Sequence, residues 1–189
     1  YVLAASTREG EEICVARAWQ RTGSAHLLVI APRHPKRIDE LLADLRPLGL
    51  AMAVRSRGEA ITGQTRIYVA DTFGELDGFM AGAELVYMGG SLVPKGGHNL
   101  LEPARLGRAV VFGPHMENFA EEARLLLDEE AAVQVVDEET LSEALQTLLG
   151  NAERRQAMGR RAAAAVAARG DVATRYAAAL ESLLPALHA

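Results

Sequence analysis

The stretch Tyr87–Pro103, YMGGSLVPKGGHNLLEP, decides how this chain is read. A short apolar run, Leu85–Met88, leads into it and predicts a buried strand. Gly89-Gly90-Ser91 then turns the chain, Gly96-Gly97-His98-Asn99 turns it again, and Leu100–Leu106 has the pattern of a helix. Strand, glycine turn and helix in that order form the repeating step of a parallel α/β sheet. Ligands of such sheets sit beyond the carboxyl ends of the strands, where these glycines fall.

Working outward, the same step recurs. Val2–Ala5 predicts the first strand, and Ser6-Thr7 is expected to cap a helix carrying Glu9, Glu11 and Glu12, whose charges suit a helix N-terminus. Leu27–Ala31 predicts a second strand, followed by the turn Pro32–Pro35 and a helix over Lys36–Leu45. Leu50–Arg55 and Arg66–Ala70 predict two more strands, and Asp71-Thr72 precede a short helix, Gly74–Met80. Downstream, Ala109–Phe112 and Ala132–Val136 read as strands, Asn118–Glu130 and Glu138–Leu149 as helices. The tail predicts two Ala-rich helices, Ala152–Ala168 and Val172–Leu184, broken at Gly170. The expected fold class is α/β, a Rossmann-like, mostly parallel sheet with helices on both faces.

Composition narrows the function. A chain of 189 residues suits one substantial core, and 49% hydrophobic with 24% charged residues argues against disorder. A net charge of -5 disfavours a nucleic-acid surface, which needs a basic stripe over many phosphates, but leaves room for a small anion held by local donors. Cys14, the sole cysteine, lies among Ile13, Val15 and Ala16 in the pattern of a buried thiol. One cysteine rules out an internal disulfide and a thiolate metal cluster. No segment reaches the roughly 20 apolar residues of a membrane span. The chain enters its first strand at Val2 with neither Met nor leader, so it is expected to be part of a longer protein.

Two glycine pairs within nine residues suggest backbone donors aimed at a phosphate, with Ser91, Lys95 and His98 beside them. The pattern is neither GxGxxG nor a Walker A loop, which counts against a dinucleotide enzyme or an ATPase. Glu102, at the start of the following helix, is placed to accept hydrogen bonds from ribose hydroxyls, or simply to favour the helix dipole. Arg33 and His34 sit between Pro32 and Pro35, where Arg33 can form a charge-assisted fork with an anion. His98, His115, Asp71 and Glu117 match no zinc spacing, and Ser91 lacks a G-x-S-x-G elbow.

Five stretches carry a family resemblance: AASTREGEE at Ala4–Glu12, APRHP at Ala31–Pro35, DTFGEL at Asp71–Leu76, YMGGSLVPKGGHNLLEP at Tyr87–Pro103 and FGPHMENFAE at Phe112–Glu121. In this order and over nearly the whole chain they resemble the C-terminal domain of the lipid A Kdo transferase family (3-deoxy-D-manno-octulosonic acid transferase). The resemblance implies a GT-B glycosyltransferase, with two Rossmann-like domains facing across a cleft and residues 1–189 forming the C-terminal, donor-binding one. It implies transfer of Kdo from CMP-Kdo to a lipid A precursor in lipopolysaccharide synthesis, at the cytoplasmic face of the bacterial inner membrane. The donor substrate is CMP-Kdo, and no metal or other cofactor is implied.

By the same resemblance, Arg33 falls at a nucleotide-contact position with His34 beside it. Gly89, Gly90, Ser91, Gly97, His98 and Asn99 fall in the phosphate and sugar region, and Glu102 at the ribose. The family's general base, acceptor-binding surface and membrane-proximal helix belong to an N-terminal domain, so no catalytic residue is assigned here. The chain alone is expected to be inactive. Implied partners are CMP-Kdo, the lipid A precursor, that N-terminal domain and, through it, the inner membrane; residues 152–189 are expected to pack partly on that domain. Rival readings are another GT-B glycosyltransferase or a sugar-nucleotide epimerase and, in a different class, a non-catalytic nucleotide-sensing or protein-interaction module.

Overall fold

Short apolar runs without polar interruption need burial on both faces, and seven of them line up as one parallel sheet. The computed structural model describes residues 1–183, with side chains described through Gly170. Its strands are β1 (Val2–Thr7), β2 (Leu28–Pro32), β3 (Met52–Val54), β4 (Ile67–Val69), β5 (Leu85–Met88), β6 (Ala109–Phe112) and β7 (Ala132–Gln134). They lie in the order β3-β4-β2-β1-β5-β6-β7, and every pair is parallel.

The helices are α1 (Glu11–Arg21), α2 (Ile38–Leu45), α3 (Leu76–Gly82), α4 (Leu101–Arg105), α5 (Ala120–Asp128), α6 (Glu138–Leu149) and α7 (Ala152–Leu183). Successive strand residues point to opposite faces, so each strand feeds two cores. Val2, Ala4, Ile30 and Tyr87 pack with Val15 and Trp19 of α1, Leu41 and Leu45 of α2, and Leu141 and Leu145 of α6. Leu3, Ala5, Val86 and Phe112 pack instead with Met80 of α3, Ala104 of α4, Leu126 of α5 and Ala162 of α7. Each fully buried large apolar side chain contributes roughly 1.5–3 kcal/mol. The expected α/β sheet covered on both faces is therefore present, with strand ends shifted by one or two residues.

Two local expectations are corrected. Ser6 and Thr7 do not cap α1; they extend β1, and the residue before the helix is Gly10, in the left-handed region at φ 86°. The Thr7 carbonyl accepts from the Arg33 N–H at 2.9 Å, which carries the ladder beyond Ala5. Nor does the tail break at Gly170, because α7 is one continuous helix. A helical glycine costs about 1 kcal/mol relative to Ala, too little to end a helix flanked by alanines. Arg155 anchors the start of α7, donating to the Leu148 carbonyl at 2.6 Å and pairing with Glu84. Gly159 of α7 lies against the Gly107 carbonyl, where any side chain would collide. How residues 171–189 pack through their side chains lies outside the described residues.

The connection after β1 runs to β2 on one side, while β5 flanks β1 on the other. The order therefore reverses between β1 and β5. A crevice opens at the carboxyl ends of these two strands, the usual ligand position in this architecture.

Candidate functional site

The crevice is built from three turns. After β5, Gly89 donates its N–H to the Ala5 carbonyl at 2.8 Å, and a Cβ there would lie 2.6 Å from both the Ser6 carbonyl oxygen and the Thr7 Cα. Only glycine lets the two chain segments approach this closely. Gly90 follows in the left-handed region, and its carbonyl accepts from the Gly97 N–H at 2.8 Å, which ties the two glycine pairs together. The Gly96 carbonyl in turn accepts from the Asn118 N–H at 3.1 Å.

A buried carboxylate holds this assembly. Glu11, 1% exposed, accepts from the backbone N–H groups of Gly90 at 2.6 Å, Ser91 at 3.0 Å, Leu92 at 2.9 Å and Arg8 at 2.9 Å. It also accepts from the Tyr87 hydroxyl at 2.8 Å. Burial first, and then the Glu11 charge, pushes the Tyr87 hydroxyl far above its ordinary value, so it stays a donor. The expectation that Gly90 and Ser91 offer free N–H groups to a phosphate is thereby corrected: Glu11 occupies that nest.

Ser91 is corrected likewise. Its side chain is fully buried, donates to the Met88 carbonyl at 2.5 Å and accepts from the Gly113 N–H at 2.7 Å. The hydroxyl braces β5 against β6 rather than facing a ligand. The helix N-terminus after the second glycine pair is also less open than expected. Helix α4 spans five residues, and the Leu101 N–H already donates to Asn99 Oδ1 at 3.0 Å. Asn99 Nδ2 donates to Glu102 Oε1 at 3.3 Å, which orients the carboxylate at the start of α4.

Basic side chains supply what the backbone does not. Arg8, in the turn after β1, donates from Nη1 to His34 Nε2 at 2.7 Å, linking that turn to the one after β2. A guanidinium only donates, so this imidazole nitrogen is the acceptor. His98 is half-buried with its Nε2 unpartnered, and Arg8 Nε is unpartnered too. Burial pushes the His98 imidazole below its ordinary value, and the charges of Arg8 and Arg33 push the same way. Arg33 lines a separate cleft of about 160 Å³ with Pro32, Thr72, Phe73 and Phe79. Phe73, 79% exposed, forms its rim.

The structure thus places Arg33 and His34 after β2 and Gly97, His98, Asn99 and Glu102 after β5, all on the carboxyl-terminal side of the sheet, and turns Ser91 inward. Sequence reasoning missed Arg8 and the role of Glu11. Both sit in the AASTREGEE stretch, where the acids suggested only a helix dipole. Asp71 is used internally, accepting from Ser56 N at 2.9 Å and Ser56 Oγ at 2.5 Å. Among the described residues, no three His, Cys, Asp or Glu side chains come together as a metal site, and no helix is long and apolar enough to cross a membrane.

No protein-family model matches the chain. It is 31% identical to the solved C-terminal CMP-Kdo binding domain of WaaA from Acinetobacter baumannii, with a TM-score of 0.82, covering 87% of this chain and 88% of that one. The chain belongs to the Kdo transferase family. It is 37% identical over 190 residues to the 3-deoxy-D-manno-octulosonic acid transferase of Bordetella pertussis, spanning 97% of this chain and 44% of that protein. With the Haemophilus influenzae transferase the identity is 31% over 161 residues, 83% of this chain and 38% of that protein. The chain therefore spans less than half the length of these Kdo transferases, and its sheet is that of the C-terminal domain of a GT-B fold.

Proposed function

We propose that this chain is the donor-binding domain of a Kdo transferase, and that the whole protein transfers Kdo from CMP-Kdo to a lipid A precursor. The observation that carries this reading is the likeness to the WaaA CMP-Kdo binding domain over nearly the full length of both chains. In this reading Glu102 accepts from the ribose hydroxyls, Arg33 meets the phosphate, and the exposed ring of Phe73 offers a stacking face for the base. Gly97, His98 and Asn99 line the sugar side. Gly89 supports the floor through the Ala5 carbonyl, and Gly90 and Ser91 through Glu11, rather than touching the donor.

Departure of CMP leaves negative charge on phosphate oxygens. Guanidinium groups fixed before the reaction stabilise that charge as it develops, and they need no reorganisation at the moment of bond breaking. The general base and the acceptor surface are assigned to an N-terminal domain of the same protein, which also brings the site to the cytoplasmic face of the inner membrane. Titration of this chain with CMP, UMP and AMP by calorimetry, with and without chelator, tests the reading. Selective CMP binding that survives chelation is the expected result; preference for UMP or AMP returns the chain to another class of GT-B enzyme.

A further inference from the structure

Arg8 stands at the carboxyl end of β1 and Arg33 at that of β2, and neither forms an ion pair with an acid among the described residues. They are not equivalent. Arg33 lines the cleft rimmed by Phe73, whereas Arg8 stands at the end of β1, bonded to His34 and pressing its charge on His98. The Glu11 carboxylate faces five donors, the Arg8 backbone N–H among them, and keeps the backbone nest of the β5 turn closed to any outside anion. Without an acidic partner of their own, these guanidiniums are free to meet an anion from outside.

Resting on the donor reading above, we propose that Arg8, with His34 and His98, forms an anion subsite distinct from that of Arg33, and that it takes the carboxylate of the donor's sugar acid. The chemistry of the donor asks for two such sites. In a nucleotide-activated 2-keto sugar acid, the carbon that carries the phosphate oxygen also carries the carboxylate. Two negative groups are thus held a few bonds apart, and a single guanidinium fork cannot match both. Arg8 Nε and His98 Nε2 are buried without partners, so each has a hydrogen-bonding position to fill. A neutral sugar would leave them unfilled, which makes the subsite a selector for sugar acids.

The test compares two stable cytidine esters, cytidine 5′-(1-carboxyethyl) phosphate and its carboxamide, which differ only in the charge beside the phosphate-bearing carbon. Calorimetric titration of this chain is expected to show the carboxylate ester binding about tenfold tighter, the size of a charged hydrogen bond. Arg8→Gln is expected to bring that ratio to about one, and Arg8→Lys to restore part of it. Arg33→Gln is expected to weaken both esters alike and preserve the ratio. A ratio near one in the unmodified chain, or a ratio that persists in Arg8→Gln, overturns the subsite while leaving cytidine phosphate binding intact. Failure of the unmodified chain to bind either ester or CMP overturns the donor reading and the subsite with it.

Discussion

Gly90 donates its N–H to Glu11 at 2.6 Å, joining the first turn of α1 to the turn after β5 across 79 positions of sequence. A carboxylate therefore fills the nest that a phosphate occupies in many glycine-turn proteins. This has two consequences. The loop is preset before any ligand arrives, and the ligand's charge must be met by side chains.

Loss of that clasp is expected to destabilise the fold. Glu11→Ala leaves the buried N–H groups of Gly90 and Ser91, the part-buried ones of Arg8 and Leu92, and the Tyr87 hydroxyl without their acceptor. Each unsatisfied buried group costs about 1–3 kcal/mol, so a total loss above about 3 kcal/mol is expected even if water enters to serve some of them. Urea denaturation of the variant beside the unmodified chain reads this directly. A change under about 1 kcal/mol would mean the turn holds its shape without the carboxylate.

Glu102 offers a sharper test of donor geometry. Glu102→Ala is expected to weaken CMP binding by about tenfold, through loss of a charged acceptor for the ribose. The same substitution should leave the affinity for 2′,3′-dideoxy-CMP almost unmoved. Equal losses for both nucleotides would remove Glu102 from the ribose.

Cys14 is expected to resist thiol reagents. Burial, followed by the charges of Glu138 and Glu11, pushes its thiol up to about 11. Fewer than about one molecule in a thousand then carries the thiolate near neutral pH, and only the thiolate reacts. Labelling with a chromogenic disulfide at pH 7.5 should be slow in the folded chain and fast in urea. Fast labelling without urea would show that the thiol is not held in this setting.

The Arg55–Glu75 pair has a pH signature. Arg55 Nη2 donates to Glu75 at 2.6 Å, and this bond, with a second from the Thr72 hydroxyl, pulls the Glu75 carboxyl from 4.5 down to about 2. The folded value lies below the unfolded one, so the pair's stabilising contribution is complete above about pH 4.5 and is lost as the pH falls towards 2. Arg55→Ala is expected to return the carboxyl towards 4.5, observed as its carbon-13 titration by NMR. A midpoint that stays near 2 would assign the depression to Thr72 alone.

Much of this was legible from residue patterns because the causes are local. Runs such as Leu85–Met88 and Ala109–Phe112 have no polar face to offer water, so they had to become central strands. The placement of Arg33, His34, Gly97 and Glu102 beyond strand ends followed from the same periodicity. Gly170 misled because a glycine ends a helix only when its neighbours do not sustain the turn, and here α7 runs through it.

The tertiary structure decided which polar groups face the crevice and which are consumed within the fold. Ser91 and Glu11 look equally available in the sequence, since both are polar residues at strand or helix ends. Their fates depend on a contact between segments 80 positions apart, where Ser91 N meets Glu11 Oε1 at 3.0 Å. The same is true of Arg8, which becomes a partner of His34 only once β1 and β2 lie side by side. Sequence alone determined the sheet, its two covered faces and the family resemblance, because hydrophobic period and motif order are properties of neighbours along the chain. Hydrogen-bond satisfaction is a property of neighbours in space, and it assigned the nest to Glu11 and left the basic side chains facing the crevice.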